Sequence, residues 1–154
     1  MKTKNKIEGR FFAELHRDVT FARVADGRQT EGMEPRISIY GNSRTEWSEL
    51  AHWFVSHRVG SVHASSGADT GRVRWMVQVP RLCNIFMGKS YHTFQELMLN
   101  IFTPLFDATL QPEAHAELAT FLANLGAIDC VDDESNSDPL LLPTVVDAGD
   151  YCTP

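Results

Sequence analysis

Apolar residues recur at three- and four-residue steps in four segments of the chain, and this spacing predicts four amphipathic helices. The first covers residues 11–25. The second and third begin at residues 43–46 and 93–96, where Ser or Thr stands three residues before Glu, the spacing of a capping box. The fourth lies between Pro112 and Gly126. Pro104 is expected to kink or break the third helix, because proline lacks a backbone N–H.

Three shorter segments are rich in β-branched or alternating apolar residues and predict strands at 36–40, 73–79 and 127–131. Because they alternate with the predicted helices, they are expected to form parallel βαβ units with right-handed crossovers. A closed parallel barrel needs eight strands in about 250 residues. The pattern therefore predicts the α/β class, with about three parallel strands and flanking helices that are part of a larger fold.

The length of 154 residues fits one domain or a piece of one. Residues 60–72 are small and polar and are predicted to be a surface insertion. Residues 135–154 are predicted to be a loop and tail. We therefore expect residues 1–154 to form a single incomplete domain.

The net charge is −6, which argues against a nucleic-acid-binding protein with a basic face. Thirteen of the fourteen lysines and arginines lie at or before Arg81, together with nine acidic residues; one lysine and eleven acidic residues follow. This asymmetry is typical either of two surfaces that meet different neighbours or of ordinary solvated faces. Since no apolar run approaches the ~20 residues of a membrane span, and no signal-peptide core is present, a cytoplasmic protein that binds no membrane is expected.

Cysteine and histidine residues give no metal or disulfide signature. Cys83 and Cys130 stand among apolar residues and are expected to be buried, reduced thiols. His52 and His57 lie about 140° apart on a helix, so they do not chelate a metal from one face. No H-x-H, H-E-x-x-H, Walker or G-x-S-x-G motif occurs, so the chain's own chemistry is incomplete for catalysis.

Candidate chemistry lies at the carboxyl ends of the predicted strands, where ligands bind in parallel α/β folds. Arg81 follows the second strand and is able to clamp a phosphate or carboxylate, or else to pair with a neighbouring loop acid. Residues 132–134 form an acidic cluster after the third strand. Such carboxylates hold a metal or orient a histidine, but a solvated acidic loop is the alternative.

Five segments in order along the chain resemble consecutive segments of the AMP deaminase family. They are EPRISIYG (34–41), SRTEW with LAHWFVSHRV (43–59), VRWMVQVPRLCNIF (73–86), NIFTPLFDATLQPEAHAEL (100–118) and IDCVDDES (128–135). The last resembles the D-x-x-G-D-E strand end of the wider adenosine and AMP deaminase family. Asp129, Asp133 and Glu134 match that motif, and Asp132 stands where adenosine deaminases carry glycine.

The resemblance implies an internal fragment of a (β/α)8 TIM barrel, covering roughly its second to fourth strands. Such enzymes hydrolyse AMP to IMP and ammonia with zinc, which lowers the pKa of a bound water while a Glu and a His move protons. The family's H-x-H, K-F-N-x-K-Y, H-C-G-E and S-T-D-D-P segments do not occur in this sequence. No catalytic or metal-binding residue is therefore assigned, and zinc is expected in the complete enzyme only.

Three substrate-binding residues are expected. In adenosine deaminases the backbone N–H at the glycine position contacts a purine ring nitrogen, so the resemblance implies this role for the N–H of Asp132. Asp133 is expected near the leaving amine. Arg81 is expected to face or support the phosphate, from its position at a strand end.

Two interpretations of the whole chain follow. In the first it is a fragment of an AMP deaminase that takes AMP as substrate and, by resemblance, forms a cytoplasmic homotetramer. In the second it is a catalytically inactive interaction or regulatory module that docks onto a full-length deaminase through its acidic half.

Overall fold

The computed structural model describes residues 3, 5–25, 33–60 and 73–131. In this part of the chain the helices are α1 (Arg10–Ala25), α2 (Glu46–Ser56), α3 (Cys83–Phe86), α4 (Phe94–Leu110) and α5 (Ala116–Ala123), and the strands are β1 (Arg36–Ser38), β2 (Trp75–Pro80) and β3 (Leu125–Val131). Of the predicted insertion at 60–72, residues 61–72 lie outside the described residues, and so does the whole predicted tail at 135–154. No described helix is long and apolar enough to cross a membrane.

The three strands form one parallel sheet in the order β1-β2-β3, which confirms the predicted α/β class and the parallel pairing. Ile37 of β1 stands opposite Val77 of β2, which stands opposite Ile128 of β3. The strand ends differ from the prediction by a few residues. Val73, for example, makes only an isolated bridge to Met33. The open three-stranded sheet is consistent with part of a β/α barrel.

The main core lies between one face of this sheet and the helices. Trp75 at the start of β2 is fully buried, and its ring meets those of His16 in α1 and of Trp53 and Phe54 in α2, with centroid distances of 4.7, 6.1 and 5.9 Å. Phe54 also packs edge-on against Phe121 of α5 at 4.9 Å. Aromatic pairs in such edge-to-face arrangements add to the apolar burial. This aromatic cluster fixes α1, α2 and α5 against the strands.

Several apolar residues predicted to share a helix stripe are exposed. On α1, Ala13 and His16 are buried, whereas Phe11 and Leu15 are more than half exposed. On α4, Ile101 is buried while Phe106 is 63% exposed. The spacing of apolar residues therefore predicts these helices correctly, but it does not identify which of their residues the other elements cover.

Two further predictions were wrong. Pro104 does not break its helix, since α4 continues through it and Pro104 is buried, so packing of this helix outweighs the backbone bond that proline removes. Cys130 is exposed, because it lies on β3, the edge strand of the described sheet, where neighbouring residues alternate between half-buried and exposed. Cys83 is a buried thiol, as predicted.

Candidate functional site at the carboxyl edge of the sheet

The carboxyl ends of the three strands lie at one edge of the sheet, because the strands are parallel. Residues 40–42 follow β1, Arg81 follows β2, and β3 ends at Val131. The backbone N–H of Arg81 donates a hydrogen bond to the carbonyl oxygen of Val131 at 2.9 Å. The ends of β2 and β3 are therefore joined directly at the place where the sequence predicts ligand contacts.

Of the three predicted substrate-binding residues, Arg81 is described. Its side chain is exposed at this edge. Asp132 and Asp133 follow Val131 in the sequence and lie outside the described residues. The roles of all three stay predictions.

A groove of about 500 Å³ runs along β1 and the loop that follows it. Phe12, Ile37 and Leu50 are among its apolar residues. Its polar residues are Thr3, Arg36, Ser38, Tyr40, Asn42, Ser43 and Glu46. Polar residues outnumber apolar ones in this lining, so the groove is more polar than the usual small-molecule site.

The loop at residues 40–42 is closely packed against α4. Gly41 has φ +70°, and a Cβ atom at this position would lie 2.3 Å from Cδ1 of Leu97 and 3.1 Å from Cγ1 of Ile101. Glycine allows both the left-handed backbone and the close approach. The ring of Tyr40 packs against Phe86 of α3, with centroids 5.5 Å apart. The short helix α3, which the sequence did not predict, thus supports the wall of the groove.

The predicted capping box at residues 43–46 is not formed. Thr45 is the N-cap of α2 and makes no side-chain capping bond. The carboxylate of Glu46 instead accepts hydrogen bonds from the backbone N–H groups of Tyr40 at 3.0 Å and Asn42 at 3.1 Å. At the predicted box at 93–96 one half is formed, since the Thr93 hydroxyl accepts a bond from the N–H of Glu96 at 3.1 Å. The carboxylate of Glu96 accepts from the N–H of His92 at 2.6 Å, one residue before the N-cap that a capping box would use.

A charged pair that the sequence did not predict spans the sheet. Arg36 of β1 contacts Asp129 of β3 at 3.3 Å, with β2 between them. Ser38, Gln78 and Asp129 stand in one row across the three strands, so a polar row crosses the sheet beneath its carboxyl edge. Arg36 and Asp129 are 93 positions apart, and no local pattern pairs residues at that distance.

Comparison with known proteins decides the family. The family model described as AMP deaminase matches residues 1–144. AMP deaminase 3 of Rattus norvegicus is 42% identical to this chain, and AMP deaminase 3 of Homo sapiens is 41% identical, each over 136 residues. AMP deaminase of Dictyostelium discoideum is 39% identical over 135 residues. In each case the match covers 88% of this chain and 16% of the relative.

This chain belongs to the AMP deaminase family. The predicted resemblance is therefore confirmed. Because the chain spans 16% of the length of these relatives, it is a fragment of a protein of the AMP deaminase type.

The described residues of this AMP deaminase fragment do not fit a zinc ion. A protein zinc site needs at least three converging His, Cys, Asp or Glu ligands. No such group of three is found in the described part of the chain. His52 contacts Glu117 on the surface at 3.1 Å, and Nε2 of His57 lies 3.0 Å from the carbonyl oxygen of Glu8. No reaction step through zinc is therefore assigned to these residues.

The phenol of Tyr91 is not a candidate general base for chemistry in the groove. It is buried with Cys83, Leu97 and Ile101 in a second core cluster behind the loop at 40–42. Burial, and then the neighbouring Cys83 thiol, raise the pKa of Tyr91 well above its usual range. The phenol therefore stays protonated at neutral pH.

The buried His16 makes the stability of the fold depend on pH. Burial lowers the pKa of His16 below its ordinary value of 6.5, because a charged imidazolium is poorly solvated against Trp75. The unfolded chain therefore takes up a proton first as the pH falls. The free energy of unfolding is expected to be unaffected by this group above pH 6.5 and to fall, by at most about 1.4 kcal/mol per pH unit, until the lower folded pKa is reached.

Urea titrations at several pH values check this expectation. The variant His16→Gln should lose the part of the pH dependence that lies just below pH 6.5. His52→Gln is the matched control for the loss of an imidazole from the surface, since His52 is exposed. Identical profiles for the wild type and His16→Gln would contradict the role of His16.

Proposed function

We propose that this chain is an internal part of an AMP deaminase and that the complete enzyme hydrolyses AMP to IMP and ammonia. The observation that carries the proposal is the match to the family model over residues 1–144, supported by relatives at about 40% identity. In the proposed enzyme the three parallel strands belong to a (β/α)8 barrel. We further propose that this enzyme is a cytoplasmic homotetramer.

The proposal places the reaction beyond the carboxyl edge of the sheet, as in other β/α barrels. The backbone N–H of Asp132 is proposed to contact a purine ring nitrogen, and Asp133 to lie near the leaving amine. Arg81 is proposed to face the phosphate; its exposed side chain at the end of β2 supports this assignment. Zinc is proposed to belong to the complete enzyme and to be held by residues outside the described part of this chain.

The activity test compares two proteins. The 154-residue chain, incubated with zinc and AMP, is expected to form no IMP above the uncatalysed background. The polypeptide encoded by the longer reading frame around this chain is expected to convert AMP to IMP, followed by chromatography of the nucleotides and by an ammonia assay. IMP formation by the 154-residue chain would contradict the proposal that the catalytic residues lie elsewhere.

The longer reading frame also separates the proposal from the alternative of an inactive module. Flanking codons for H-x-H before Met1 and for H-C-G-E after Pro154 support the enzyme fragment. Stop signals on both sides would overturn it in favour of the interaction or regulatory module.

A further inference from the structure

Side chains from two helices hold the loop that follows β1. Glu46, the first residue of α2, accepts the N–H groups of Tyr40 and Asn42 at 3.0 and 3.1 Å. Asn100 of α4 donates from Nδ2 to the carbonyl oxygen of Gly41 at 2.9 Å. Three consecutive residues of the loop are therefore each bound through the backbone.

The same loop forms part of the groove along β1. Tyr40 and Asn42 are among the residues that line this groove, together with Glu46 at the start of α2. Because all three loop residues are bound through the backbone, the loop presents a preformed wall. A loop that is fixed before binding loses less conformational entropy when a ligand binds, so less binding free energy is spent on ordering it.

We propose that Glu46 and Asn100 are positioning residues, which hold the Tyr40–Asn42 loop in one conformation so that this loop contacts the substrate nucleotide. This inference rests on the proposed function, which sets the carboxyl edge of the sheet against AMP. Neither residue reaches the reacting atoms in this proposal. They act through the loop.

The chemistry of Glu46 explains why a carboxylate is needed. Its two oxygens accept two backbone N–H groups at once, and bonds to a charged acceptor are the stronger kind. Glutamine at this position has one acceptor oxygen, and its NH2 group would face the second backbone N–H. Glu46→Gln therefore removes one bond and adds a donor–donor contact, with little change in side-chain volume.

The first test uses the 154-residue chain. In Glu46→Gln, amide hydrogen exchange at Tyr40 and Asn42 is expected to be faster by about tenfold or more, while exchange at the core residue Val77 is unchanged. Glu49→Gln is the matched control, because Glu49 lies one turn further along α2 and accepts a bond from the Thr45 hydroxyl at 3.0 Å. Unchanged exchange rates at Tyr40 and Asn42 in Glu46→Gln would contradict the inference that Glu46 holds the loop.

The second test uses the complete polypeptide. Glu46→Gln and Asn100→Asp are each expected to raise KM for AMP by about fivefold to tenfold while kcat changes by less than about twofold, since a misplaced wall weakens binding more than chemistry. The double variant is expected to show less than the product of the two effects, because both residues act on one loop. Glu49→Gln should keep the wild-type KM.

The two tests distinguish the possible failures. A lower melting temperature with an unchanged KM in both variants would show a purely structural role and overturn the positioning role. If the wild-type polypeptide does not convert AMP, the proposed function fails, and with it the contact to AMP. The exchange experiment then still decides whether Glu46 holds the loop.

Discussion

Trp75→Ala is expected to destabilise the fold by about 3–5 kcal/mol, the usual cost of removing a large aromatic side chain from a core. Trp75 has no exposed surface and contacts the rings of His16, Trp53 and Phe54, so its removal opens a cavity between β2, α1 and α2. Its indole N–H has no hydrogen-bond partner among the described residues. The expected loss is therefore one of packing.

Urea unfolding followed by circular dichroism measures this effect. With a slope of about 2 kcal/mol per M, the midpoint of Trp75→Ala should fall by roughly 2 M. Phe106→Ala is the matched control, because Phe106 is 63% exposed on α4 and its truncation should change stability by less than about 0.5 kcal/mol. Equal midpoints for the two variants would contradict the central position of Trp75.

The sequence predicted the strands and their parallel pairing better than it predicted which helix residues are covered. The run from residue 73 to 79 has the β-branched and aromatic residues of a buried strand, and β2 forms within one or two residues of it. The four residues of α3 are too few for a helical period to show. The spacing of apolar residues shows that a helix is amphipathic but does not show which of these residues other elements cover. The sequence therefore did not predict that Phe11 and Phe106 are exposed.

The candidate site was predictable where it depends on strand ends and not where it depends on the path of the backbone between elements. Arg81 was selected because it follows a strand, and it lies at the carboxyl edge. Glu46 was recognised as a capping residue from its spacing, but its carboxylate bonds to the loop before the helix. Only the reversal of the chain between β1 and α2 brings these groups together. The Arg36–Asp129 pair likewise depends on the register of three strands.

The Tyr40–Asn42 loop links the core to the groove, so a change in packing beneath it affects both. Gly41 lies on Leu97 and Ile101 of α4, and Asn100 of the same helix binds its carbonyl oxygen. The second core cluster behind this loop contains Leu97 and Ile101. The position of α4 therefore determines where the wall of the groove stands.

Gly41→Ala is expected to destabilise the fold by about 2–4 kcal/mol, for two separate reasons. With φ +70°, any residue with a Cβ atom loses about 1 kcal/mol relative to glycine. The added methyl group would also lie 2.3 Å from Cδ1 of the buried Leu97, and such overpacking costs about 1–3 kcal/mol. Urea unfolding gives the sum of the two effects.

Gly88→Ala separates these two causes. Gly88 has φ +76°, and a Cβ atom there meets no other atom within 4 Å, so its replacement should cost only the backbone part, about 1 kcal/mol. In a Leu97→Ala background the shortest contact at Gly41 is removed and only those to Ile101 at 3.1 and 3.2 Å remain, so the further cost of Gly41→Ala should fall towards the same value. If Gly41→Ala costs no more than Gly88→Ala in the wild-type background, the loop does not lie tightly against α4. In that case the wall of the groove would be free to move away from the helix that holds it.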